Sequence, residues 1–328
     1  MRSGGSRSLS RTRTRRTNRR EPIKKRALFY RSRRVGGHAR LFIRIICMEG
    51  ILTYPLERKT DMNQTETNAA LPMRDEPGRI EPVAELTDVR LIYHEPQGET
   101  LAVEGLTMRV ERGELLSVVG PSGCGKTSVL SLISGLYAPS SGNVRVLGGS
   151  PARAAGRIGY MLQQDQLLEW RTIEKNVLLG LEIKRMLTPE TRAYAMELLE
   201  KYGLAGFARS APERLSGGMR QRAALVRTLA FRPELLLLDE PFSALDYQTR
   251  LILEDEVRSI IKTGGYTAVL VTHDISEAIA MGDRVLVFSG RPARVRREFT
   301  VDIEGAALAR RGSPRFRTLF DAIWKELR

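Results

Sequence analysis

The 328-residue sequence has only two cysteines, Cys47 and Cys124, and no long apolar run. Two cysteines provide no disulfide framework and fit a reducing cytosol. The longest apolar candidate, LFIRIICM, has eight residues and is interrupted by Arg44, whereas a bilayer-spanning helix needs about 18–20 apolar residues. If the protein works at a membrane, we expect another chain to span it.

Acidic residues are almost absent from the first 48 positions, which contain 16 Lys and Arg and a single acid, Glu21. The remaining 280 residues contain 37 basic and 37 acidic residues, so the formal charge of +15 belongs entirely to this first segment. The segment is rich in Ser and Arg and poor in apolar residues, which predicts disorder. The folded part is therefore neutral, and its charge does not favour a nucleic-acid partner.

Three interpretations of this basic segment remain open. Its Arg-rich, acid-poor composition is typical of an organelle transit peptide. Its charge also suits an arm that binds nucleic acid or anionic lipid. Alternatively, translation starts further downstream, at Met48, Met62 or Met73, because the patterned sequence begins only near residue 84.

Beyond residue 84, apolar runs alternate with helical patterns. AELTDVRLIY and LAVEGLTMRVERGE predict a pair of antiparallel strands. LLSVVG, LLLLD, YTAVLVTH and RVLVFSG predict strands buried on both faces. Residues 165–232 have no strand-like run and predict an inserted helical subdomain. Strands that alternate with helices indicate an α/β fold with a mainly parallel sheet and right-handed crossovers. We expect an extension and linker at 1–83, a folded α/β domain at 84–305 and a C-terminal helical tail at 306–328.

The segment GPSGCGKT, between the strand LLSVVG and a predicted helix, matches G-x4-G-K-[ST]. Glycines let successive N–H groups wrap phosphates, Lys126 reaches the β and γ oxygens, and the Thr127 hydroxyl binds Mg²⁺. Cys124 is interpreted as a spacer of which only the backbone matters. This segment predicts an ATP site formed by Gly120, Pro121, Ser122, Gly123, Cys124, Gly125, Lys126, Thr127 and Ser128.

The segment LLLLDEP supplies the acidic half of such a site. Asp239, at the end of a buried strand, can reach Mg²⁺, and Glu240 can orient or deprotonate an attacking water. A second glycine turn, LSGGMRQR at 215–222, also begins a helix, and helix N-termini bind anions. One nucleotide site does not explain two such turns.

LSGGMRQR resembles the signature motif of ABC-type ATPases, and it precedes a Walker B-like LLLLDE at that family's usual separation. Other motifs of the family follow its order over about residues 84–300. Tyr93 matches the aromatic that stacks on adenine, although His94 is adjacent and ordinary strand packing is the alternative. Gln163 matches the glutamine that touches Mg²⁺ and senses the membrane partner; Gln164 is its neighbour. Ser243–Asp246 resembles the D-loop, and His273 matches the histidine that contacts the γ-phosphate.

The resemblance implies a P-loop NTPase core with an antiparallel β subdomain and a helical insertion. It implies ATP and Mg²⁺ as cofactors, with Glu240, His273 and Gln163 in catalysis. Thr127, Gln163 and Asp239 would bind the Mg²⁺. It also implies a head-to-tail dimer, in which ATP bound to one subunit meets signature residues of the other. These signature residues are Ser216, Gly217, Gly218 and Gln221, accompanied by Asp246 of the D-loop.

Within the family, the sequence is similar to importer ATPases of the nitrate, sulfonate, taurine and bicarbonate branch. QLLEWRTIEKNV, VTHDISEAIAMGDRV and the segment RPARV carry this likeness, although Glu169 stands where the branch usually has proline. The likeness implies a separate permease dimer, an indirect extracytoplasmic solute-binding protein, and a location on the cytoplasmic face of the cell membrane. Leu167, Leu168 and Trp170 are candidates for the permease surface, with packing inside the helical subdomain as the alternative.

Two other functions stay open at this point. A soluble ABC ATPase could act on ribosomes or DNA through the Arg-rich segment, but such proteins usually carry a second ATPase domain or a long coiled coil. Neither is visible here, so no nucleic-acid partner is expected. Exporters are a weaker alternative.

Overall fold

The computed structural model describes residues 41–47, 50–56, 81–96 and 98–328. Contacts divide the chain into two units, residues 1–71 and 72–328. In the first unit, strands β1 (Leu41–Cys47) and β2 (Gly50–Leu56) form an antiparallel hairpin. This hairpin lies within the extension and linker expected at 1–83. The other residues of that extension lie outside the described residues, apart from 81–83, so its predicted disorder stays a prediction.

A six-stranded sheet forms the centre of the second unit, in the order β11-β10-β5-β9-β8-β7. Neighbouring strands are parallel, except that β11 runs antiparallel to β10. This confirms the predicted α/β fold with a mainly parallel sheet. The strands are β5 (Leu115–Val119), β7 (Ile158–Met161), β8 (Leu235–Asp239), β9 (Thr267–Thr272), β10 (Arg284–Phe288) and β11 (Val295–Thr300).

Three of the four inner strands, β5, β8 and β9, are buried along their whole length. Successive side chains of a strand point to opposite faces, so the strands contribute side chains to two hydrophobic clusters, one on each face of the sheet. Leu235 and Leu237 belong to one cluster, and Leu236 and Leu238 belong to the other. Helices therefore cover both faces, which explains why these strands read as continuous apolar runs rather than as alternating patterns.

An antiparallel sheet of three strands, in the order β4-β3-β6, packs beside this core. The predicted pair is present as β3 (Ala84–Glu95) and β4 (Gly98–Val110), and β6 (Ser141–Val146) extends it. The sequence did not indicate β6, because SGNVRV has only two buried side chains and begins with weak strand formers.

The helical insertion contains α3 (Ile173–Ile183), α4 (Pro189–Lys201) and α5 (Gly217–Leu229), which lie between β7 and β8 in the chain. The Thr188 hydroxyl accepts from the Thr191 amide and Pro189 occupies the first helical position, so α4 begins where the capping pattern predicts.

The remaining helices pack around the two sheets. They are α1 (Lys126–Ser134), α2 (Pro151–Ala154), α6 (Tyr247–Thr263), α7 (Ile275–Met281), α8 (Ala307–Arg310) and α9 (Pro314–Leu327). The predicted C-terminal helix is α9, whose buried face presents Phe316, Leu319 and Ile323. Among the helices in the described ranges, none has the length and apolar character needed to cross a bilayer.

Candidate functional site

The carboxyl ends of the parallel strands β5, β8 and β9 lie at one edge of the central sheet. The glycine loop follows β5, Glu240 follows β8, and His273 follows β9. Ligands of open α/β sheets bind at this edge, outside the carboxyl ends of the strands. Motifs that are more than a hundred residues apart in sequence are therefore brought together by the sheet.

The glycine loop closes around the ammonium of Lys126. The Lys126 Nζ donates to the carbonyl oxygens of Gly120 and Pro121 at 2.9 and 3.0 Å, and the side chain is only 5% exposed. Gly125 has a φ of +116°, and a Cβ there would lie 2.7 Å from the carbonyl oxygen of Ala102. The loop thus has a shape that only glycine permits at this position.

The helix after the loop favours an anion at its start. Helix α1 begins at Lys126, and its first turn has no acidic residue. Amide groups and the helix dipole at such a terminus attract phosphate. Cys124 is buried, and burial raises the pKa of its thiol. A Cβ on Gly120 would lie 2.9 Å from the Cys124 Sγ, so the side chain of Cys124 packs against the loop.

Oxygen atoms of the hard type that Mg²⁺ prefers converge beside the loop. The Thr127 Oγ1 donates to the Asp239 Oδ1 at 3.1 Å, and the Tyr160 hydroxyl lies 3.4 Å from the Asp239 Oδ2. Burial raises the pKa of Asp239, and the hydrogen bond from Thr127 opposes that rise. A buried carboxylate next to a hydroxyl fits a divalent cation, which would offset the cost of burying the charge.

Glu240 is the meeting point of the predicted catalytic residues. Its Oε2 lies 3.2 Å from the Gln163 Nε2 and 3.1 Å from the His273 Nδ1. Glu240 has a φ of +44°, an uncommon backbone conformation for a residue with a side chain. The Glu240 amide donates to the Val271 carbonyl at 2.9 Å, which anchors this turn to β9. Strained residues of this kind cluster at functional sites.

The two neighbouring glutamines have different partners. Gln163 contacts Glu240, whereas the Gln164 Oε1 accepts from the Gln166 Nε2 at 3.2 Å. The structure therefore brings Gln163, not Gln164, to the cluster that also contains His273.

Tyr93 and His94, the two neighbouring candidates for stacking on adenine, also have different partners. The Tyr93 hydroxyl donates to the Ser128 Oγ at 3.0 Å, and its ring meets Tyr137 edge-on at 5.1 Å. Partial burial raises the pKa of Tyr93. His94 is exposed and pairs with Glu99 instead. Tyr93 thus lies against the first turn of α1; its stacking on adenine remains a prediction.

The signature segment forms a helix start with an exposed first residue. The exposed Ser216 caps α5 by accepting from the Met219 amide at 3.4 Å. Gly217 is half-buried, and a Cβ on Gly218 would lie 2.7 Å from the Thr249 methyl, so Gly218 lets α5 approach α6. Gln221 is only 4% exposed. Its part, with Ser216, in meeting the partner subunit's ATP remains a prediction.

The D-loop residue Asp246 caps the neighbouring helix α6. Its Oδ1 accepts from the Thr249 amide at 3.0 Å, and hydrogen bonding by the Thr249 side chain and then by its amide lowers the pKa of Asp246. The residue is exposed, like Ser216. Two exposed, capped helix starts therefore lie close together, joined by the Gly218–Thr249 contact.

The loop after Gln163 is fastened to the helical insertion by residues that the motifs did not single out. The Arg220 Nε donates to the Asp165 Oδ2 at 3.0 Å, and its Nη1 donates to the Leu215 carbonyl at 3.2 Å. Arg227 donates to the carbonyls of Asp165 and Gln166 at 2.6 and 2.7 Å. The only sequence signal for these contacts is the basic character of the α5 segment RQRAALVR.

The three candidates for a permease surface have different exposures. Leu167 is buried and Leu168 is half-buried, whereas Trp170 is 76% exposed. Asn176 holds the loop from α3, because its Oδ1 accepts from the Leu168 amide at 2.7 Å and its Nδ2 donates to the Leu168 carbonyl at 3.1 Å. Tryptophan is enriched at protein–protein interfaces, so Trp170 is the one of the three candidates whose exposure suits a docking surface.

A glycine loop between a buried strand and a helix, facing a buried Asp and a strained Glu at the edge of a parallel sheet, defines a P-loop nucleotide-binding ATPase. Comparisons specify the class further. Residues 103–243 match the family model described as ABC transporter. The sequence is 52% identical over 238 residues to the uncharacterized ABC transporter ATP-binding protein YtlC of Bacillus subtilis, which covers 72% of this chain and 92% of that protein.

Two further similarities agree with this. The taurine import ATP-binding protein TauB of Pelagibacter ubique is 39% identical over 215 residues, 65% of this chain and 81% of that protein. A dimeric, post-hydrolysis structure of the ATP-binding cassette MJ0796 with ADP and Pi is 30% identical, with a TM-score of 0.60, over 68% of this chain and 99% of that chain. The chain belongs to the family of ABC transporter ATP-binding proteins, which confirms the resemblance seen in the sequence.

Proposed function

We propose that this chain is the ATP-hydrolysing subunit of an importer that takes up a small solute, of the nitrate, sulfonate or taurine type, through a separate permease dimer. The observation that carries the hydrolytic part is the convergence of Gln163 and His273 on one carboxylate oxygen of Glu240. The importer part is supported by the similarity to a taurine import ATP-binding protein.

In the proposed reaction, Glu240 accepts a proton from water as the water oxygen attacks the γ-phosphorus, and the bond from that phosphorus to the β–γ bridging oxygen breaks. His273 and Gln163 fix the direction of the Glu240 carboxylate, and Lys126 neutralises phosphate charge. Mg²⁺, held by Thr127, Asp239 and Gln163, would supply further charge neutralisation when bound. Phosphoryl transfer depends mostly on such positioning and charge stabilisation.

We further propose that the complete ATP site is shared between two copies arranged head to tail. Ser216 and Asp246 are exposed at helix starts, apart from the contacts that define the Glu240 cluster. An exposed helix N-terminus without an acid in its first turn suits the phosphates of a nucleotide held by a partner. The similar cassette MJ0796 is dimeric in its structure with ADP and Pi, which supports this arrangement.

The proposed permease surface is centred on Trp170. Its loop is held to α5 by Arg220 and Arg227 and to α3 by Asn176. In this proposal, a permease that displaces Trp170 also displaces the helical insertion, including Ser216 at the start of α5. We accordingly propose that the protein works on the cytoplasmic face of the cell membrane, with a solute-binding protein linked only indirectly through the permease.

Membrane association tests the importer proposal. The tagged full-length chain, expressed in its own host cells, is expected in the washed membrane fraction, from which Trp170→Ala should be largely lost. Leu308→Ala is the matched control, because Leu308 is an exposed apolar residue, 55% exposed, in α8. Retention of Trp170→Ala in the membrane fraction would show that Trp170 is not part of the docking surface. Association with ribosomes or DNA that survives high salt, without membrane association, would overturn the importer proposal.

A further inference from the structure

Arg250 joins two loops that lead to different motifs of the site. It lies in the first turn of α6, where its Nη2 donates to the carbonyl oxygen of Leu245 at 3.1 Å. Its Nη1 lies 3.6 Å from the Asp274 Oδ2. Leu245 directly precedes the exposed Asp246, and Asp274 directly follows His273. The Arg250 guanidinium thus contacts the residue before Asp246 and the residue after His273.

Asp274 uses its two oxygens for different purposes. The Oδ1 accepts from the amides of Ser276 and Glu277 at 2.7 and 3.2 Å, which caps α7. The Oδ2 faces Arg250. The backbone that presents His273 is therefore fixed on one side by the start of α7 and on the other by Arg250.

The surroundings of Arg250 strengthen these contacts. Its side chain is 25% exposed, and its Nε is buried and makes no hydrogen bond within the described part of the chain. Besides Asp274, the buried carboxyls of Glu254 and Glu277 lie near enough for Arg250 to lower their pKa, against the larger effect of burial. Glu254 also pairs with Arg311. Charges that are shielded from water interact more strongly than exposed ones.

We infer that Arg250 is a positioning residue that ties the Leu245–Asp246 loop to His273, so that hydrolysis responds to the partner subunit. The inference rests on the proposed shared site, in which Asp246 meets the second copy. A partner that displaces this loop shifts the Leu245 carbonyl and hence Arg250. The shift passes through Asp274 to the backbone of His273, and so to the contact between His273 and Glu240.

Two variants separate this role from charge alone. Arg250→Met keeps much of the length and removes every donor, while Arg250→Lys keeps the charge but has no planar fork to span both partners. For both variants we expect the Kd for a fluorescent ATP analogue to stay within about twofold of the parent. The Kd reports binding in the ground state, and Arg250 is not among the residues proposed to bind the nucleotide. The kcat should fall about 10- to 100-fold, as small misplacements of catalytic groups do, and the Hill coefficient for ATP should fall towards one.

Arg284→Met is the matched control. Arg284 also joins a carbonyl to a carboxylate, since its Nη2 donates to the Arg109 carbonyl and its Nε lies 3.1 Å from the Glu114 Oε1. Its side chain is similarly exposed, at 20%, but it lies at the amino end of β10, away from the glycine loop. We expect Arg284→Met to lower the Tm while keeping the Hill coefficient and keeping kcat within about twofold.

ATP-dependent dimerisation distinguishes this inference from the shared site on which it rests. Glu240→Gln and the double variant Glu240→Gln/Arg250→Met should both form a dimer with ATP on size-exclusion chromatography. If Glu240→Gln alone stays monomeric with ATP, the shared site fails, and the inference fails with it. If the dimers form but Arg250→Met and Arg250→Lys keep the kcat and cooperativity of Arg284→Met, Arg250 has no positioning role. A parallel loss of ATP affinity and kcat would also overturn that role. Should Arg250→Met not fold, Arg250→Lys alone decides by the same readings.

Discussion

The Nδ1 of His273 lies 3.1 Å from the Oε2 of Glu240, although the two residues end different strands of the sheet. The adjacent pairing of β8 with β9 brings them together, and the amide of Glu240 is bound to the carbonyl of Val271 on β9. A general base needs such an orienting partner within hydrogen-bond reach. This relationship makes Glu240 the first residue to test.

Replacing Glu240 with Gln should separate binding from hydrolysis. The amide keeps the shape of the side chain but cannot accept the proton from water, so turnover should fall by about 10²–10⁴-fold. ATP affinity should persist in a fluorescent-nucleotide titration. Glu234→Gln is the control, because Glu234 lies just before β8, at the opposite end of this strand, and pairs with Arg157. Hydrolysis at the parental rate by Glu240→Gln would refute the role given to this carboxylate.

Tyr93 should matter through its ring rather than through its hydroxyl. If the ring stacks on adenine, Tyr93→Ala should weaken ATP binding about 5- to 160-fold, since base–aromatic stacking is worth about 1–3 kcal/mol. Tyr93→Phe keeps the ring and loses only the hydrogen bond to Ser128, so it should bind ATP nearly as the parent does. Calorimetric titration of both variants, with His94→Ala as control, measures this. Equal affinity of Tyr93→Ala and the parent would leave Tyr93 as a packing residue.

The two glycines of the loop should differ in their tolerance of a methyl group. Gly123 and Gly125 both have positive φ, +75° and +116°, but only at Gly125 would a Cβ meet backbone, 2.7 Å from the Ala102 oxygen. Left-handed backbone costs about 1–2 kcal/mol per residue with a side chain, and overpacking adds about 1–3 kcal/mol. Gly125→Ala should therefore lower the Tm several degrees more than Gly123→Ala in a thermal melt. A similar Tm for the two variants would contradict the close approach.

Glu277 should make stability depend on pH. Burial, helped by the nearby Glu254 and Asp274, raises the pKa of Glu277 well above its usual value of 4.5. The folded state therefore binds the proton more tightly than the unfolded state, so this contribution to the free energy of unfolding is full below pH about 4.5 and is lost as the pH rises towards the raised pKa. Glu277→Gln removes the titration. Its Tm, relative to that of the parent, should accordingly be higher at pH 8 than at pH 5; a pH-independent difference would show that Glu277 titrates normally.

The sequence predicted those parts of the site in which the chemistry is local. GPSGCGKT and LLLLDE each combine strand, turn and reactive side chain within a few residues, so the loop, Lys126 and Asp239 could be named from the residues alone. The family pattern supplied Gln163 and His273, because no local signal shows that two distant loops meet at Glu240. That meeting depends on strand order, which the sequence did not give.

The residues that were missed depend on long-range contacts. Tyr160 and Arg250 are ordinary residues of a strand and a helix until Asp239 and Asp274 are brought beside them. The burial of Gln221, by contrast, follows from helical spacing, since it lies three residues after the buried Gly218 and four before the buried Leu225 on the inner face of α5. The strand β11, VRREFT, escaped prediction because it is an edge strand that is mostly exposed and is ordered by its pairing with β10.

The exposed start of α5 is the feature that most directly tests whether two copies share each ATP site. The Ser216→Arg variant places a bulky side chain at the helix start and leaves the glycine loop, Asp239 and Glu240 of its own chain unchanged. If the partner's nucleotide meets Ser216, the isolated chain should keep its ATP affinity in a fluorescent-nucleotide titration, while cooperative steady-state hydrolysis should be abolished. Parental hydrolysis with a parental Hill coefficient in Ser216→Arg would contradict the shared site.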